Sequence, residues 1–179
     1  MKKVVIIGGG TGLSVMLRGM KHIDDIQLSA IVTVADDGGS TGRIRDSYQI
    51  PAMGDIRHVM CAMAEEESIF TDLMNYRFGG EGDIAGHNLG NLLLLALSQT
   101  TGSFMEAIRT FSRVLKVRGK IIPSTLEIVT LFAIMEDGTI VRGEDNIPKF
   151  RNHIDRVFYQ RDIKATKESL EAIREADLI

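Results

Sequence analysis

Residues 4–12 read Val-Val-Ile-Ile-Gly-Gly-Gly-Thr-Gly, and an amphipathic stretch carrying Leu13, Val15, Met16, Leu17 and Met20 follows. β-Formers running into glycines, then into an apolar pattern of helical period, spell strand, tight turn, helix. Glycines let the backbone turn sharply and let a ligand approach, because no Cβ stands in the way. The helix then aims its free N–H groups, and the positive end of its dipole, at whatever lies above the turn. Gly8, Gly9, Gly10, Thr11 and Gly12 are therefore expected to hold a phosphate, most naturally that of a nucleotide. The dinucleotide fingerprint Gly-x-Gly-x-x-Gly, started at Gly8, would need a glycine where Leu13 stands, so the helix–strand contact must differ from the usual one. The plain alternative is a turn that binds nothing, but ordinary turns seldom take glycine at four of five positions.

A second strand is expected at 27–35, nearly all apolar, as a parallel strand covered on both faces should be. Residues 36–54 show no clear period and read as a long functional loop. Helical patterns follow at 54–65, 68–77, 86–99 and 103–116. Ile121-Ile122 suggests a short strand, and 126–135 with 139–142 reads as a hairpin turning at Asp137-Gly138. A short strand near 154–159 and a helix near 164–176 follow, and Ala176–Ile179 resembles the start of another strand. The expected fold is α/β: a Rossmann-like, doubly wound, mostly parallel sheet with an added β-hairpin. Residues 1–179 are expected to form a single Rossmann-like nucleotide-binding domain, incomplete at the C-terminus and the N-terminal part of a larger domain. An open sheet edge favours pairing with another chain, so a homo-oligomer is expected.

The net charge of −3 argues against a general nucleic-acid binder. The one cysteine, Cys61, cannot form an internal disulfide and suits a reducing compartment. His58 lies three residues before it, but two ligands do not make a metal site. Lys2 and Lys3 precede only a four-residue apolar run, which is no signal peptide. The apolar run Leu92–Leu97 is too short to span a bilayer and reads as a buried helix. A cytoplasmic protein without membrane insertion is the expectation.

Four motifs carry candidate chemistry. Asp36 and Asp37 end the second strand, where open α/β sheets bind ligands; they could accept from a ribose or hold Mg²⁺ through hard oxygen donors. Gly38, Gly39 and Ser40, with Thr41 and Gly42, could cradle a second anion, and Arg43 and Arg45 follow as possible clamps. Gly54-Asp55-Ile56-Arg57 opens a helix, with Asp55 either an N-cap or a site residue. His87, Asn88 and Asn91 surround a glycine-flanked helix start, where either asparagine could be a cap and all three would suit a sugar, base or phosphate. No Gly-x-Ser-x-Gly, P-loop or Cys/His ligand cluster accompanies them.

Taken in order, Gly8–Gly12, Asp36–Gly42, Gly54-Asp55 and Gly86–Asn91 resemble the motifs of the gluconeogenesis factor (YvcK) family, which is related to 2-phospho-L-lactate transferase (CofD). The resemblance covers essentially the whole chain. It implies a Rossmann-like fold, a bacterial cytoplasmic setting, UDP-sugar binding and a link to cell shape and cell-wall growth on gluconeogenic carbon. Members run to roughly 300 residues or more, a size usual for a larger α/β domain. The leading expectation is a nucleotide-sugar-binding regulator, with the Gly8–Gly12 turn on the diphosphate, Asp36 or Asp37 toward ribose or metal, and His87, Asn88 and Asn91 lining the pocket. The alternative is a Mg²⁺-dependent transferase in which Asp36 and Asp37 bind the metal and Arg43 and Arg57 stabilise developing charge. An NAD-dependent oxidoreductase is a third reading, which rests on the turn alone.

Overall fold

The computed structural model describes residues 1–66 and 68–179. A parallel sheet is built from β1 (Lys2–Gly8), β2 (Ile26–Val32) and β3 (Lys120–Pro123), in the order β1-β2-β3. The register runs Lys2 to Ile26 through Gly8 to Val32, then Ser29 to Lys120 through Val32 to Pro123. α1 (Gly10–Met20) connects β1 to β2, the βαβ unit that the glycine turn announces. Among the described residues five helices lie between β2 and β3: α2 (Gly39–Tyr48), α3 (Gly54–Met63), α4 (Ile69–Asn75), α5 (Leu89–Thr101) and α6 (Phe104–Val114).

Helices cover both faces of the sheet, which makes the winding double. Val4, Leu28, Ala30 and Val32 face the main core with Leu17, Ile56, Met60, Leu94 and Ile108. Val5, Ile31 and Ile122 face the other way, against Ala172, Ile173 and Ala176 of α7 (Lys167–Glu175) and its end. Alternation along a strand sends successive side chains to opposite faces, so the covered middle of β1 and β2 is apolar on both faces at Val4, Val5, Ala30, Ile31 and Val32.

Beyond α7 the chain runs alongside β1. Leu178 forms a parallel bridge to Val4, and the Val5 N–H donates to the Leu178 carbonyl at 2.9 Å. The expected strand start at Ala176–Ile179 is thus paired. Because β2 and β3 lie on one side of β1 and Leu178 on the other, the winding direction reverses at β1. Ligand crevices in open α/β sheets form at such a reversal, beyond the carboxyl ends of the strands.

A separate antiparallel sheet joins β4 (Phe132–Met135), β5 (Ile140–Arg142) and β6 (Ile154–Phe158) in the order β5-β4-β6. The expected hairpin turns at Asp137-Gly138, and β6 adds a third strand on its far side. Ala133, Met135, Val141 and Ile147 form its own small core.

Several boundaries differ from the sequence reading. The region 36–54 is not one long loop: residues 39–48 form α2. Gly39, Ser40, Thr41 and Gly42 are poor helix formers, which hides the helix from pattern reading, but Ser40, Thr41, Gly42, Ile44 and Arg45 are buried, and tertiary packing outweighs propensity. β2 stops at Val32, although Thr33 still donates to the Gly8 carbonyl at 2.9 Å. The first hairpin strand is confined to Phe132–Met135, and Leu126 upstream is half exposed. Asp55 is not an N-cap. Met53 occupies that position, and Asp55 lies in the first turn of α3.

Candidate functional site

The glycine turn ends β1 and starts α1. Gly10 holds φ +64°, a left-handed value that suits glycine. The helix N-cap, Gly9, offers no side-chain cap bond, and Thr11 and Gly12 are exposed, so the first N–H groups of α1 face open space. Gly9 itself is extended, and space rather than φ restricts it. A Cβ there would lie 2.1 Å from Thr33 Cγ2 and 2.5 Å from Asp55 Oδ2. Leu13, at the third-glycine place of the fingerprint, is buried and meets Gly8 at ordinary van der Waals distance. The tight contact of this turn is therefore made by Gly9 against β2 and α3.

The second loop repeats the pattern. Gly38 is the N-cap of α2, again without a side-chain cap bond. Asp36 Oδ1 accepts the Gly38 N–H at 2.9 Å. A Cβ on Gly54 would lie 2.5 Å from Asp36 Oδ2 and 2.6 Å from Thr41 Oγ1, so α3 begins directly against the Asp36 carboxylate. A Cβ on Gly42 would lie 2.1 Å from the Asp37 carbonyl oxygen. These glycines are spaces into which neighbouring loops fit.

The start of α5 closes the cluster. Asn88 is its N-cap, with Oδ1 accepting the Asn91 N–H at 3.1 Å. Ser40 Oγ accepts the Asn88 N–H at 3.1 Å and lies 3.3 Å from His87 Nδ1. Asn91 Nδ2 donates to Ser40 Oγ at 3.4 Å and to Thr41 Oγ1 at 3.3 Å. Asn88 and Asn91 are almost wholly buried, and these bonds tie α5 to α2. His87 is half-buried and keeps its Nε2 edge free of any bond among the described residues.

The three arginines of these motifs differ in their surroundings. Arg57 points inward: Nε donates to Asn91 Oδ1 at 3.1 Å, and its Nη atoms reach Asn75 Oδ1, the Met74 carbonyl and His58 Nε2. Burial lowers its pKa and Arg77 adds to that, while the charges of Cys61, Asp36 and Asp55 oppose it. Arg43 is exposed and donates from Nη2 to the Ala85 carbonyl at 2.8 Å. Arg45 is buried at 4.0 Å from Asp37 Oδ2.

A neighbour missed in the sequence is the loop after β5. Asp145 donates its N–H to Asp37 Oδ1 at 3.0 Å, and a Cβ on Gly143 would lie 2.5 Å from Asp37 Oδ2. Burial pushes the Glu144 carboxyl above its ordinary range, and Asp36, Asp55, Asp37 and Asp145 push it further. Asp36 is raised in the same way, by burial and then by Asp55 and Asp37, against the lowering bonds from Gly38 and Thr41. Gly143-Glu144-Asp145-Asn146 is a turn-like signal, but no local pattern links it to residues a hundred positions earlier.

No group of three or more His, Cys, Asp or Glu among the described residues is arranged to hold a metal. No helix is long and apolar enough to cross a membrane among them. A cavity of about 800 Å³ lies away from the loop cluster, over the sheet face between α6 and α7, and shares no residue with it.

Fold and loops together define a class: a Rossmann-like domain whose glycine-rich turns and uncapped helix ends gather at the carboxyl edge of a parallel sheet. The family model for 2-phospho-L-lactate transferase CofD matches residues 4–179, and the chain belongs to this CofD family. It is 49% identical over 178 residues to a gluconeogenesis factor of Bacillus subtilis (strain 168), covering 99% of this chain and 56% of that protein. A gluconeogenesis factor of Listeria innocua is 51% identical over 178 residues, with 99% and 55% covered. The crystal structure of protein BH3568 from Bacillus halodurans matches with a TM-score of 0.94 and 49% identity, over 99% of this chain and 58% of that one. The chain spans about half the length of the curated relatives it matches.

Proposed function

We propose that this chain carries the nucleotide-sugar-binding part of a regulatory protein that links cell shape and cell-wall growth to gluconeogenic conditions. One observation carries the reading. Four motifs far apart in sequence interlock at one end of the sheet, through Gly9 with Asp55, Gly54 with Asp36, and Ser40 with Asn88 and Asn91. The uncapped starts of α1 and α2 belong to this cluster, and helix starts with free N–H groups are anion sites. In this reading Gly8–Gly12 takes the diphosphate, the Gly38–Ser40 turn takes a further polar group, and His87 lines the pocket. Asn88, Asn91 and Arg57 frame it rather than line it. The names of the gluconeogenesis factors it resembles support the regulatory setting.

Magnesium fits this proposal at Asp36 better than at Asp37. Asp36 is a carboxylate whose charge is opposed by Asp55 and Asp37, so a cation there would relieve it. Magnesium commonly takes one or two carboxylates together with ligand phosphates. Each carboxylate already accepts a backbone N–H, Asp36 from Gly38 and Asp37 from Asp145, but Asp37 also has the Arg45 guanidinium beside it. When bound, the ion would neutralise phosphate charge beside Asp36.

The test is a thermal-shift series with UDP-N-acetylglucosamine, NAD and GDP, each with and without Mg²⁺. A native-state ligand at ~100 times its Kd stabilises by ~2.7 kcal/mol, a readable shift. A response to the UDP-sugar alone is the expected result, and no response at saturation would sink the proposal. The CofD match favours a second reading, a transferase acting on a nucleotide-activated substrate and a phosphorylated hydroxy acid. Turnover of such a substrate pair that requires Mg²⁺ and is lost in Asp36→Asn would support it instead.

A further inference from the structure

Arg77 lies outside every motif, between Tyr76 and Phe78. It forms an antiparallel bridge with Asn88, and Phe78 donates to the His87 carbonyl at 2.9 Å. This short stem holds Arg77 and His87 at a fixed spacing. Arg77 Nη1 donates to the Gly86 carbonyl at 2.7 Å, and Arg43 Nη2, from α2, donates to the neighbouring Ala85 carbonyl at 2.8 Å. Two guanidinium groups are thus pinned to consecutive carbonyls, each through a single donor.

Neither arginine has a carboxylate within ion-pair distance among the described residues, so neither charge is neutralised by a side chain beside it. The charged groups that act on His87 are these same two arginines, Arg43 from α2 and Arg77 from the stem. Burial and both cations hold the imidazole below its ordinary range. Arg77 also presses on buried Arg57, which has no ion pair among the described residues. Gathering like charges costs free energy, and here the backbone holds them together in a protein of net charge −3. An oxyanion offsets such a cost, and guanidinium forks suit its geometry.

We infer that Arg43 and Arg77, beside His87, form a second oxyanion subsite, for a phosphate or carboxylate group that the ligand carries beyond the part held at Gly8–Gly12. This rests on the reading that the loop cluster faces a nucleotide ligand. It adds Arg77, and the stem that carries it, to the binding surface.

The experiment follows the histidine imidazole resonances by NMR through a pH titration, with and without sulfate, which keeps its charge where histidine titrates. His87→Gln assigns the resonance, and His22 and His153 serve as internal references. Sulfate is expected to raise the His87 midpoint by roughly one pH unit, as an opposite charge at close range does. Arg77→Gln should abolish the rise and Arg77→Lys should retain part of it. A His87 midpoint that ignores sulfate, or moves equally in Arg77→Gln, overturns the subsite. Sulfate moving His87 while UDP-N-acetylglucosamine gives no thermal shift would sink the nucleotide-sugar proposal and leave the subsite standing.

Discussion

Asp145 donates its backbone N–H to Asp37 Oδ1 at 3.0 Å across 108 residues of sequence. The bond clasps the loop after β5 to the end of β2, and Arg45 Nη2 stands 4.0 Å from the other oxygen of the same carboxylate. Asp37→Ala is expected to lower unfolding stability by about 0.5–1.5 kcal/mol, the usual net worth of one intramolecular hydrogen bond. Asp37→Asn keeps an acceptor and should cost less. Urea denaturation of both variants checks this, and an Asp37→Ala midpoint equal to the parent's would remove the clasp.

Gly9 and Gly12 sit in the same turn and should respond oppositely to alanine. At Gly9 the new methyl would stand 2.1 Å from Thr33 Cγ2, whereas at Gly12 nothing lies within 4 Å. Gly9→Ala should cost about 1–3 kcal/mol through overpacking, and Gly12→Ala should stay within about 0.5 kcal/mol. Thr33→Ser removes the obstructing methyl, so it should return part of the Gly9→Ala loss. Thermal unfolding of the three variants and of the Gly9→Ala, Thr33→Ser pair decides the point. Equal losses at both glycines would mean that space does not govern the turn.

The parts legible in the sequence were those whose cause is local. The Val4–Gly12 run specifies strand, turn and helix by itself, and Asp137-Gly138 specifies its hairpin. α2 was hidden because Gly39-Ser-Thr-Gly42 disfavours a helix locally and is held by burial against α3 and α5. Arg57, expected in the transferase reading to stabilise developing charge, has its donors taken up by Asn91, Asn75 and a helix carbonyl from two other elements. Arg77 and Gly143–Asp145 carry no motif, and only the fold brings them to the loops. The contacts between the four motifs join residues far apart in sequence, and only the packing shows which of their side chains bond to one another.

Protonation should divide the cluster into two opposing slopes. Asp36 and Glu144 titrate above their ordinary range, chiefly through burial. The native state then binds more protons than the unfolded chain, so stability falls as pH rises from their ordinary range through the raised values. His87 titrates below its ordinary value, chiefly through burial, so the unfolded chain binds more protons between that lowered value and about 6.5. Stability rises with pH through that window. Asp36→Asn should flatten the first slope and His87→Gln the second. Denaturation midpoints across pH 4 to 7 in both variants test the assignment, which fails if each variant keeps the parent's profile.

Asn91 joins two halves of the frame, because one amide serves both a buried cation and two buried hydroxyls. Its Oδ1 accepts from Arg57 Nε at 3.1 Å, and its Nδ2 faces Ser40 and Thr41. Asn91→Ala strands the Nε donor of a guanidinium that is 4% exposed, so a loss of about 1.5–3 kcal/mol is expected, as for a hydrogen bond to a charged group. Asn91→Asp keeps the acceptor toward Arg57 and should lose less. The decisive comparison is the double replacement Arg57→Met with Asn91→Leu, which removes the charge and the amide together. Replacing a buried polar pair with apolar groups of similar size is often nearly neutral, so the double variant should be more stable than Asn91→Ala alone. Urea midpoints measure both. A double variant weaker than Asn91→Ala would mean that Arg57 holds the frame through its other contacts, to Asn75, Met74 and His58, rather than through Asn91.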